Sequence, residues 1–383
     1  MLYKIVNRFP EDMIFKEAGP LVSLYQPTHR YFPDNKKDPI IFKNLLREIE
    51  NSLKQKFEAS IVASIMKPFY ELKEDKDFWN NTLDGIAVLA SQEKCIVYNL
   101  HNPVKEIAIV ANSFHIKPLL QAFQALENYH LLGLSRGSFS LYEGNRHSFQ
   151  EIKIDENVPR TIKEVLGDQL SDSYLSYGAH SGTGNPAIYY GHGDAKKEID
   201  KDMEKYFRYV DAFIFDNYSR ELKFPLILFA LQEYHIPFKK LSKNPYLITK
   251  GINKSIESFA ITEIEKMARV IIETINLKRI KKLIDAYTKA DAESMGSSDL
   301  VQIAKAAYQG RVQTIILEED KIIPGKIDYQ TGNIKYCELD NPECDDLLDD
   351  LAELVLLNGG DVSVLTKKKM PSESGVAAIF RYI

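Results

Sequence analysis

Segments typical of β-strands alternate with segments typical of α-helices along this chain of 383 residues. Near the N-terminus, the apolar run at residues 21–25 predicts a strand. Asp38-Pro39 predicts the start of a helix, because Asp is a good cap and Pro suits the first turn. Apolar residues then recur at helical spacing from Phe42 to Leu53. This alternation predicts a mixed α/β (α+β) fold built from layers of helices and sheets.

The length exceeds that of one ordinary domain, and the grouping of the predicted elements favours three domains. We expect an N-terminal α/β domain at residues 1–112 and a middle domain at residues 113–275. A C-terminal α/β/α domain is expected at residues 276–383, ending in a buried strand.

Four further elements are predicted in the second half of the chain. The short apolar segment 212–216 is typical of a strand, whereas the longer apolar run 224–234 favours a helix. A long helix is expected over residues 262–287. Ser297 is expected to cap the helix that follows, because its hydroxyl can accept a bond from a free amide of the first turn.

Composition and charge are typical of a globular protein. Hydrophobic residues make up 44% of the chain, enough to bury a core and to exclude a disordered or collagen-like protein. The net charge of −5 gives no chain-wide basic footprint for nucleic acid. Residues 276–383 hold 14 basic and 18 acidic side chains. We therefore expect local basic patches for any RNA contact, and a protein partner for the acidic C-terminal domain.

Signals for a membrane or secreted protein are not visible. No apolar run approaches the ~20 residues of a membrane span, and the first residues lack a basic region followed by an apolar block. Cys95, Cys337 and Cys344 form no CxxC pair and no even-numbered framework, which favours reduced thiols. We expect a cytoplasmic protein without a membrane partner.

A polar, glycine-rich stretch at residues 178–193 is the most suggestive local pattern. Its candidate functional residues are His180, Gly182, Gly184 and Asn185. Glycines let a backbone approach another molecule closely, and the N-terminus of the helix predicted behind the stretch could bind an anion such as phosphate. The stretch lacks the Gly-Lys-Ser/Thr ending of a nucleotide loop and the glycine spacing of a dinucleotide site. A surface loop without function is the alternative.

Two further groups of polar residues are candidates. Thr28, His29 and Arg30 follow a predicted strand, where catalytic groups often lie. No nucleophile is visible near them in the sequence, so a structural hydrogen-bonding role is the preferred interpretation. The residues that could be drawn together as metal ligands are His180, His192, Asp194 and Glu198. Their spacing matches no zinc signature, so we predict no metal and no cofactor.

Basic residues on two predicted helices are candidates for RNA binding: Lys196, Lys197, Lys278, Arg279 and Lys282. The first two follow the glycine-rich stretch, and the other three lie on the long helix. Lys278 and Lys282 share a helix face at i, i+4. Such residues can contact RNA phosphates but read no sequence. A solvated helix face is the alternative.

Several motifs along the chain match one family pattern. Ser23-Leu24-Tyr25-Gln26-Pro27-Thr28-His29-Arg30 is followed by Asp38-Pro39-Ile40, and Lys205-Tyr206-Phe207-Arg208-Tyr209 follows the glycine-rich stretch. Near the end, Ala307-Tyr308-Gln309-Gly310-Arg311-Val312 is similar to the family's last helix, turn and strand. By these motifs the chain resembles, over nearly its whole length, the bacterial relatives of the archaeo-eukaryotic class-one peptide-chain release factor.

The resemblance implies a ribonuclease-H-like middle domain and a C-terminal domain of the kink-turn-binding ribosomal-protein type. In release factors, a Gly-Gly-Gln loop of the middle domain enters the peptidyl-transferase centre and helps position water for attack on peptidyl-tRNA. Their N-terminal domain reads the stop codon through an Asn-Ile-Lys-Ser motif. This sequence contains neither motif, and its comparable loop holds Gly182-Thr183-Gly184-Asn185.

Three functions follow as hypotheses. The resemblance implies a translation-associated protein that binds the ribosome or a tRNA without evident stop-codon reading. One alternative is a hydrolase of peptidyl-tRNA or another ester, in which Asn185 or His180 orients water. The other is a non-catalytic protein-interaction module that keeps the fold.

Overall fold

A computed structural model describes residues 2–6, 9–17, 19–124, 128–135, 137–145, 148–171, 192–328, 331–337 and 345–382. The chain forms two units, one made of residues 1–124 with 277–383 and the other of residues 125–276. Both units combine helices with sheets, so the predicted mixed α/β fold is confirmed.

The N-terminal part of the first unit is a five-stranded sheet with helices. Its strands are β1 (Lys4–Val6), β2 (Leu21–Pro27), β3 (Gly85–Ala90), β4 (Cys95–Leu100) and β5 (Ile107–Ala111). Its helices are α1 (Met13–Lys16), α2 (Asp38–Lys56), α3 (Ala59–Glu74), α4 (Lys76–Asn80) and α5 (Lys117–Phe123). The strand order is β1-β4-β3-β2-β5, and only the β1–β4 pair is parallel.

Strand β3 lies in the middle of this sheet and is buried on both faces. Ile86 and Val88 pack against the apolar sides of α2 and α3. Ala87 and Leu89 point the other way, into a cluster that includes α5 and apolar residues of the C-terminal part. Alternate side chains of a strand point to opposite faces, so one apolar strand supports both cores.

The second unit is a sheet with helices packed on both faces. Its elements are β6 (Tyr129–Leu134), β7 (Phe139–Gly144), β8 (Phe149–Glu151), α6 (Ile162–Leu166), α7 (His192–Ile214), β9 (Leu226–Ala230), α8 (Gln232–Leu241), β10 (Ile252–Asn253) and the first half of α9 (Ile261–Ala292). The strand order is β10-β9-β6-β7-β8, with β9 parallel to β6. Tyr206 and Phe207 of α7 pack on one face, and Ile264 and Ala268 of α9 pack on the other.

Two predictions fail in this unit. Residues 212–216 are not a strand: residues 212–214 end α7, and the chain continues as a π-helical turn, Phe215–Ser219. Residues 224–234 are not a helix, because they contain β9 and only the start of α8. All of β9 is buried between parallel neighbours, and a strand buried on both faces has the continuous apolar run that was assigned to a helix.

The C-terminal part of the first unit is an α/β/α sandwich with a small second sheet. It contains β11 (Gly296–Ser297), α10 (Leu300–Tyr308), β12 (Val312–Glu318), β13 (Pro324–Ile327), β14 (Ile334–Tyr336), β15 (Asp345–Asp346), α11 (Leu347–Leu357), β16 (Asp361–Leu365) and β17 (Val376–Phe380). The main sheet has the order β11-β17-β12-β16, and the small one β14-β13-β15. Apolar residues of α10 and α11 cover one face of the main sheet, while Tyr287 of α9 packs on the other.

The predicted cap of α10 is wrong by two residues. The N-cap is Asp299, whose Oδ1 accepts a hydrogen bond from the Gln302 amide at 2.7 Å. The Ser297 hydroxyl lies one step earlier and accepts from the Asp299 amide at 3.1 Å. Ser297 ends β11 and therefore holds the capping residue in place through this bond, while its hydroxyl donates to Oε1 of Gln302 at 2.7 Å.

Residues 113–124 lie in the first unit, whereas the predicted boundary near residue 112 assigned them to the middle domain. The division into three domains otherwise stays a prediction. The amides of Ile116 and Lys117 donate to the carboxylate of Asp349, at 2.9 and 2.7 Å. These bonds fasten the start of α5 to α11 of the C-terminal part.

Two cysteines are among the described residues, and they differ in state. Cys95 is buried and free. Cys337 is disulfide-bonded, so the prediction of reduced thiols is wrong there, because an odd number of cysteines does not exclude a single bridge. Within the described parts of the chain, no helix combines the length and the apolar character of a membrane span.

Candidate functional site

The glycine-rich stretch falls between α6 and α7 of the second unit, and most of it lies outside the described residues. His180, Gly182, Gly184 and Asn185 are among the residues that the structure does not describe. The described chain stops at Ser171 and resumes at the start of α7. The functional role of these four residues therefore stays a prediction. The structure describes the segments on either side of them: residues up to Ser171, and helix α7.

Hydrogen bonds join the segment that precedes the glycine-rich stretch to helix α7, which follows it. The amide of Ser171 donates to Oδ2 of Asp202, a buried residue of α7, at 2.9 Å. The Tyr206 hydroxyl, one turn further along α7, donates to the carbonyl of Arg160 before α6 at 2.8 Å. Thr161 caps α6 in a capping box with Glu164. The described segment that ends at Ser171 and helix α7 are therefore joined on one packed frame.

The candidate RNA-binding lysines on α7 are exposed. Lys196 and Lys197 lie in the first turns of the helix, directly after the glycine-rich stretch. Lys201 and Lys205 follow Lys197 at i+4 and i+8 and are exposed as well. These positions share one helix face. The face also carries acids such as Glu204, so it is mixed in charge, with basic residues in excess.

The basic residues of α9 are exposed, as a solvent-facing or phosphate-binding role requires. Lys278, Arg279 and Lys282 have open side chains on the half of α9 that belongs to the first unit. Lys278 and Lys282 are one turn apart, as predicted from their spacing. Lys196 and Lys197 belong to the second unit, so the basic residues of α7 and those of α9 are two separate candidate groups.

Thr28, His29 and Arg30 lie at the end of β2, where the structure surrounds them with acids. The Arg30 guanidinium makes two hydrogen bonds to the carboxylate of Asp84, both 2.8 Å long. The carboxylate of Asp38 accepts from the His29 amide at 2.8 Å and contacts His29 Nδ1 at 2.7 Å. The Thr28 hydroxyl donates to the carbonyl of Leu83 at 2.8 Å.

Asp38 and Asp84 are the members of this cluster that the sequence interpretation missed. Asp38 was expected to cap α2, but a 3-10 helix, Asp34–Lys37, runs directly into α2, so the amides of the first turn are not free. The Asp38 side chain is fully buried and turns back to His29 instead. A carboxylate that fixes a histidine ring is also the orienting half of a catalytic dyad.

The bonding within the cluster favours the structural role that the sequence suggested. Thr28 is buried, and the Arg30–Asp84 bonds are largely shielded, with side-chain exposures of 11% and 17%. The His29 ring is the exposed part, at 46%. The cluster therefore fixes the backbone at the end of β2 and leaves one ring edge open to solvent.

A second polar cluster joins residues 113–117 to α11. Lys117 Nζ lies 2.5 Å from Oδ2 of Asp346, and it also donates to the carbonyl of Lys321 at 2.7 Å. The Ser113 hydroxyl donates toward the carboxylates of Asp345 and Asp350, at 2.8 and 3.0 Å. These contacts lie within the first unit. Part of the excess of acidic residues in the C-terminal region is therefore used to bind Ser113 and Lys117.

Burial shifts the titration of this cluster. It raises the pKa of Asp349 and of Asp350 well above the ordinary range, with the neighbouring carboxylates adding to the effect. Burial, with Asp349 and Asp345 nearby, raises the pKa of Glu353 to about 8. Burial, with Lys117 nearby, lowers the pKa of His115 to about 4. His115 is therefore neutral at pH 7, so its 3.3 Å contact with Asp349 is not an ion pair.

Metal binding finds no support in the described residues. Among them, no three His, Cys, Asp or Glu side chains are grouped so that they could hold a metal ion. The acidic cluster of α11 is instead engaged with Lys117, with Ser113 and with backbone amides. Its chemistry is that of an internal hydrogen-bond network.

Comparison with known proteins finds one family model that is similar to the second unit. Residues 127–274 match the model of bacterial archaeo-eukaryotic release factor family 6. The predicted resemblance to bacterial relatives of the release factor is confirmed over this stretch, which includes the whole sheet β10-β9-β6-β7-β8 and the glycine-rich stretch. No curated protein matches the chain.

Three solved structures are among those similar to the chain. Archaeal Pelota, in a model of ribosome-bound Pelota and ABCE1, is 14% identical, with 73% of each chain covered and a TM-score of 0.40. Dom34 of S. cerevisiae is 16% identical, with 76% of this chain and 74% of that chain covered and a TM-score of 0.31. The archaeal termination factor aRF1 is 12% identical over 95% and 94%, with a TM-score of 0.21.

Proposed function

We propose that this chain, a release-factor relative in residues 127–274, is a translation-associated protein that binds the ribosome or a tRNA without reading stop codons. The family match of the second unit is the observation that carries the proposal. The absence of an Asn-Ile-Lys-Ser motif from the sequence supports the part that concerns stop codons.

The position of the glycine-rich stretch supports its use as the element that reaches the partner. The stretch lies between the described segment that ends at Ser171 and the first turn of α7, and the Ser171–Asp202 bond joins that segment to α7. Functional residues are often carried on segments that a rigid frame positions. Lys196 and Lys197 follow the stretch and are exposed, so they can contact RNA phosphates beside it.

Sedimentation with ribosomes at low salt tests the proposal. Phosphate contacts weaken steeply as salt is added, so the purified protein is centrifuged with ribosomes over a series of salt concentrations. We expect co-sedimentation at low salt, and we expect Lys196→Gln with Lys197→Gln to make its salt dependence shallower. Replacing Gly182 and Gly184 by valine is expected to weaken the effect of the protein on translation.

Gly137→Val is the matched control for the glycine substitutions. A Cβ at Gly137 would meet no atom within 4 Å, so this change adds the same side chain at an open position of the same unit. Wild-type protein that stays in the supernatant at low salt contradicts the proposal. Binding that is lost equally in the control shows a loss of folding instead.

The same preparation also tests the alternative function, hydrolysis of the peptidyl-tRNA ester. Ribosomes loaded with labelled peptidyl-tRNA report any peptide that the protein releases. The sequence lacks Gly-Gly-Gln, but it offers an amide at Asn185 and an imidazole at His180. Release above background that disappears in Asn185→Ala or His180→Ala would assign a hydrolase. Binding without release leaves the non-hydrolytic role.

A further inference from the structure

The three most exposed large apolar side chains in the described part of the chain lie close together in the sequence. Phe32 is 71% exposed, Tyr31 64% and Ile40 62%. Tyr31 and Phe32 follow the Thr28–Arg30 segment, and Ile40 lies in the first turn of α2. A contiguous group of exposed apolar residues commonly marks a binding surface. We call Tyr31, Phe32, Lys36 and Ile40 the aromatic patch.

The backbone that carries the aromatic patch is held firmly. On one side, the Arg30–Asp84 and His29–Asp38 bonds fix the end of β2. On the other side, the amide of Asn35 donates to the carbonyl of Tyr31 at 3.2 Å, and the 3-10 helix continues into α2. The patch is therefore pre-organised, which lowers the entropic cost of binding a partner.

Positive charge accompanies the aromatic rings. Lys36 Nζ lies 4.4 Å from the centre of the Phe32 ring. Exposed Lys37, Lys43 and Arg47 follow on the 3-10 helix and on α2. The exposed acids between residues 29 and 48 are Asp34 and Glu48, since Asp38 is buried against His29. Residues 29–48 thus expose more basic than acidic side chains, with Lys37 paired to Asp34 at 3.4 Å, in a chain whose net charge is −5.

We propose that the aromatic patch binds single-stranded nucleic acid, with bases stacked on Tyr31 and Phe32 and phosphates contacted by Lys36. Exposed aromatic rings flanked by cations are the combination that binds unpaired bases together with their backbone. Stacking tolerates every base, so the site is expected to show little sequence preference. The inference does not rest on the proposed function, because it concerns the other unit and needs no ribosome.

Fluorescence anisotropy with a labelled oligouridine tests the inference on the full chain. Tyr31→Ala and Phe32→Ala are each expected to weaken binding by about tenfold, and the double variant by more. Lys36→Gln is expected to lower the slope of log affinity against log salt by about one. Tyr336→Ala is the control, because Tyr336 is a tyrosine of the same unit with 59% exposure.

Results of three kinds would overturn the inference. The first is an oligouridine affinity that stays unchanged in the double variant, or no measurable binding of wild type at low salt. The second is equal affinity for an RNA duplex, whose bases are not available for stacking. The third is a concentration-dependent dimer that the double variant abolishes, which would assign the patch to a second copy of the chain. If Tyr31→Ala fails to fold, Phe32→Ala tests the same surface alone.

Discussion

Glu353 offers the sharpest test of the electrostatics of the first unit. It lies on α11 one turn after Asp349, and its Oε2 is buried without a hydrogen-bond partner among the described residues. Burial and the nearby Asp349 and Asp345 raise its pKa from 4.5 to about 8. We predict that Glu353→Gln makes the unit less sensitive to alkaline pH, because glutamine has the same shape and no charge.

The size of the effect follows from the shift. A carboxyl whose pKa is higher in the folded than in the unfolded state favours folding fully below the unfolded pKa, and this contribution is lost as the pH rises through the folded pKa. For a rise from 4.5 to about 8, the loss between pH 5 and pH 8 is about 3.5 kcal/mol at most. Partial access of water to the Glu353 side chain reduces the expected value to about 2 kcal/mol.

The single tryptophan of the chain makes the measurement specific. Trp79 is 5% exposed and lies in the core of the first unit, so its fluorescence reports the unfolding of that unit alone. Urea unfolding is measured at pH 5 and at pH 8 for wild type, Glu353→Gln and the exposed control Glu106→Gln. We expect wild type and the control to lose similar stability between the two pH values, and Glu353→Gln to lose about 2 kcal/mol less.

An equal pH dependence in all three proteins would refute this reasoning. It would mean that Glu353 is ionised in the folded state at pH 7 and is solvated by water or by a rearranged α11. A Glu353→Gln protein that is less stable than wild type at pH 8 would contradict the reasoning more strongly, because the ionised Glu353 carboxylate would then have to stabilise the folded state.

Two other substitutions test local features. Arg30→Lys replaces two parallel bonds to Asp84 by a single point charge, and we expect a loss of about 1–2 kcal/mol in the Trp79 unfolding assay. Gly251→Ala would place a Cβ 2.6 Å from the carbonyl of Leu228, so we expect faster hydrogen exchange of the β9 amides, corresponding to about 1–3 kcal/mol. Gly137→Ala, at an open position, is expected to leave that exchange unchanged.

Sequence patterns predicted the elements that are bounded by clear turn signals, including β3, which is buried on both faces. The strands at 85–90 and 95–100 and the helix at 59–72 are present within two residues of their predicted ends. The long helix is present too, but it extends to Ala292. These segments are bounded by polar turns, so local sequence is enough to place them.

The errors occur where burial removes the pattern or where a partner is distant in the sequence. Strand β9 is covered on both faces, so its apolar run has no period from which a strand can be told apart from a helix. Asp84 pairs with Arg30 across 54 positions, and Asp349 binds the amides of Ile116 and Lys117 across more than 200. Local sequence carries no signal for such partners.

The acidic cluster of α11 also changes what the charge of the C-terminal region implies. The count of 14 basic and 18 acidic residues in 276–383 suggested a protein partner for an acidic surface. Asp346, Asp349 and Asp350 are buried, however, and bind Lys117, backbone amides and Ser113. The pKa of Glu353, which burial raises to about 8, also reduces its negative charge at neutral pH. The surface is therefore less acidic than the count, and much of that acidity serves to hold residues 113–117 on α11.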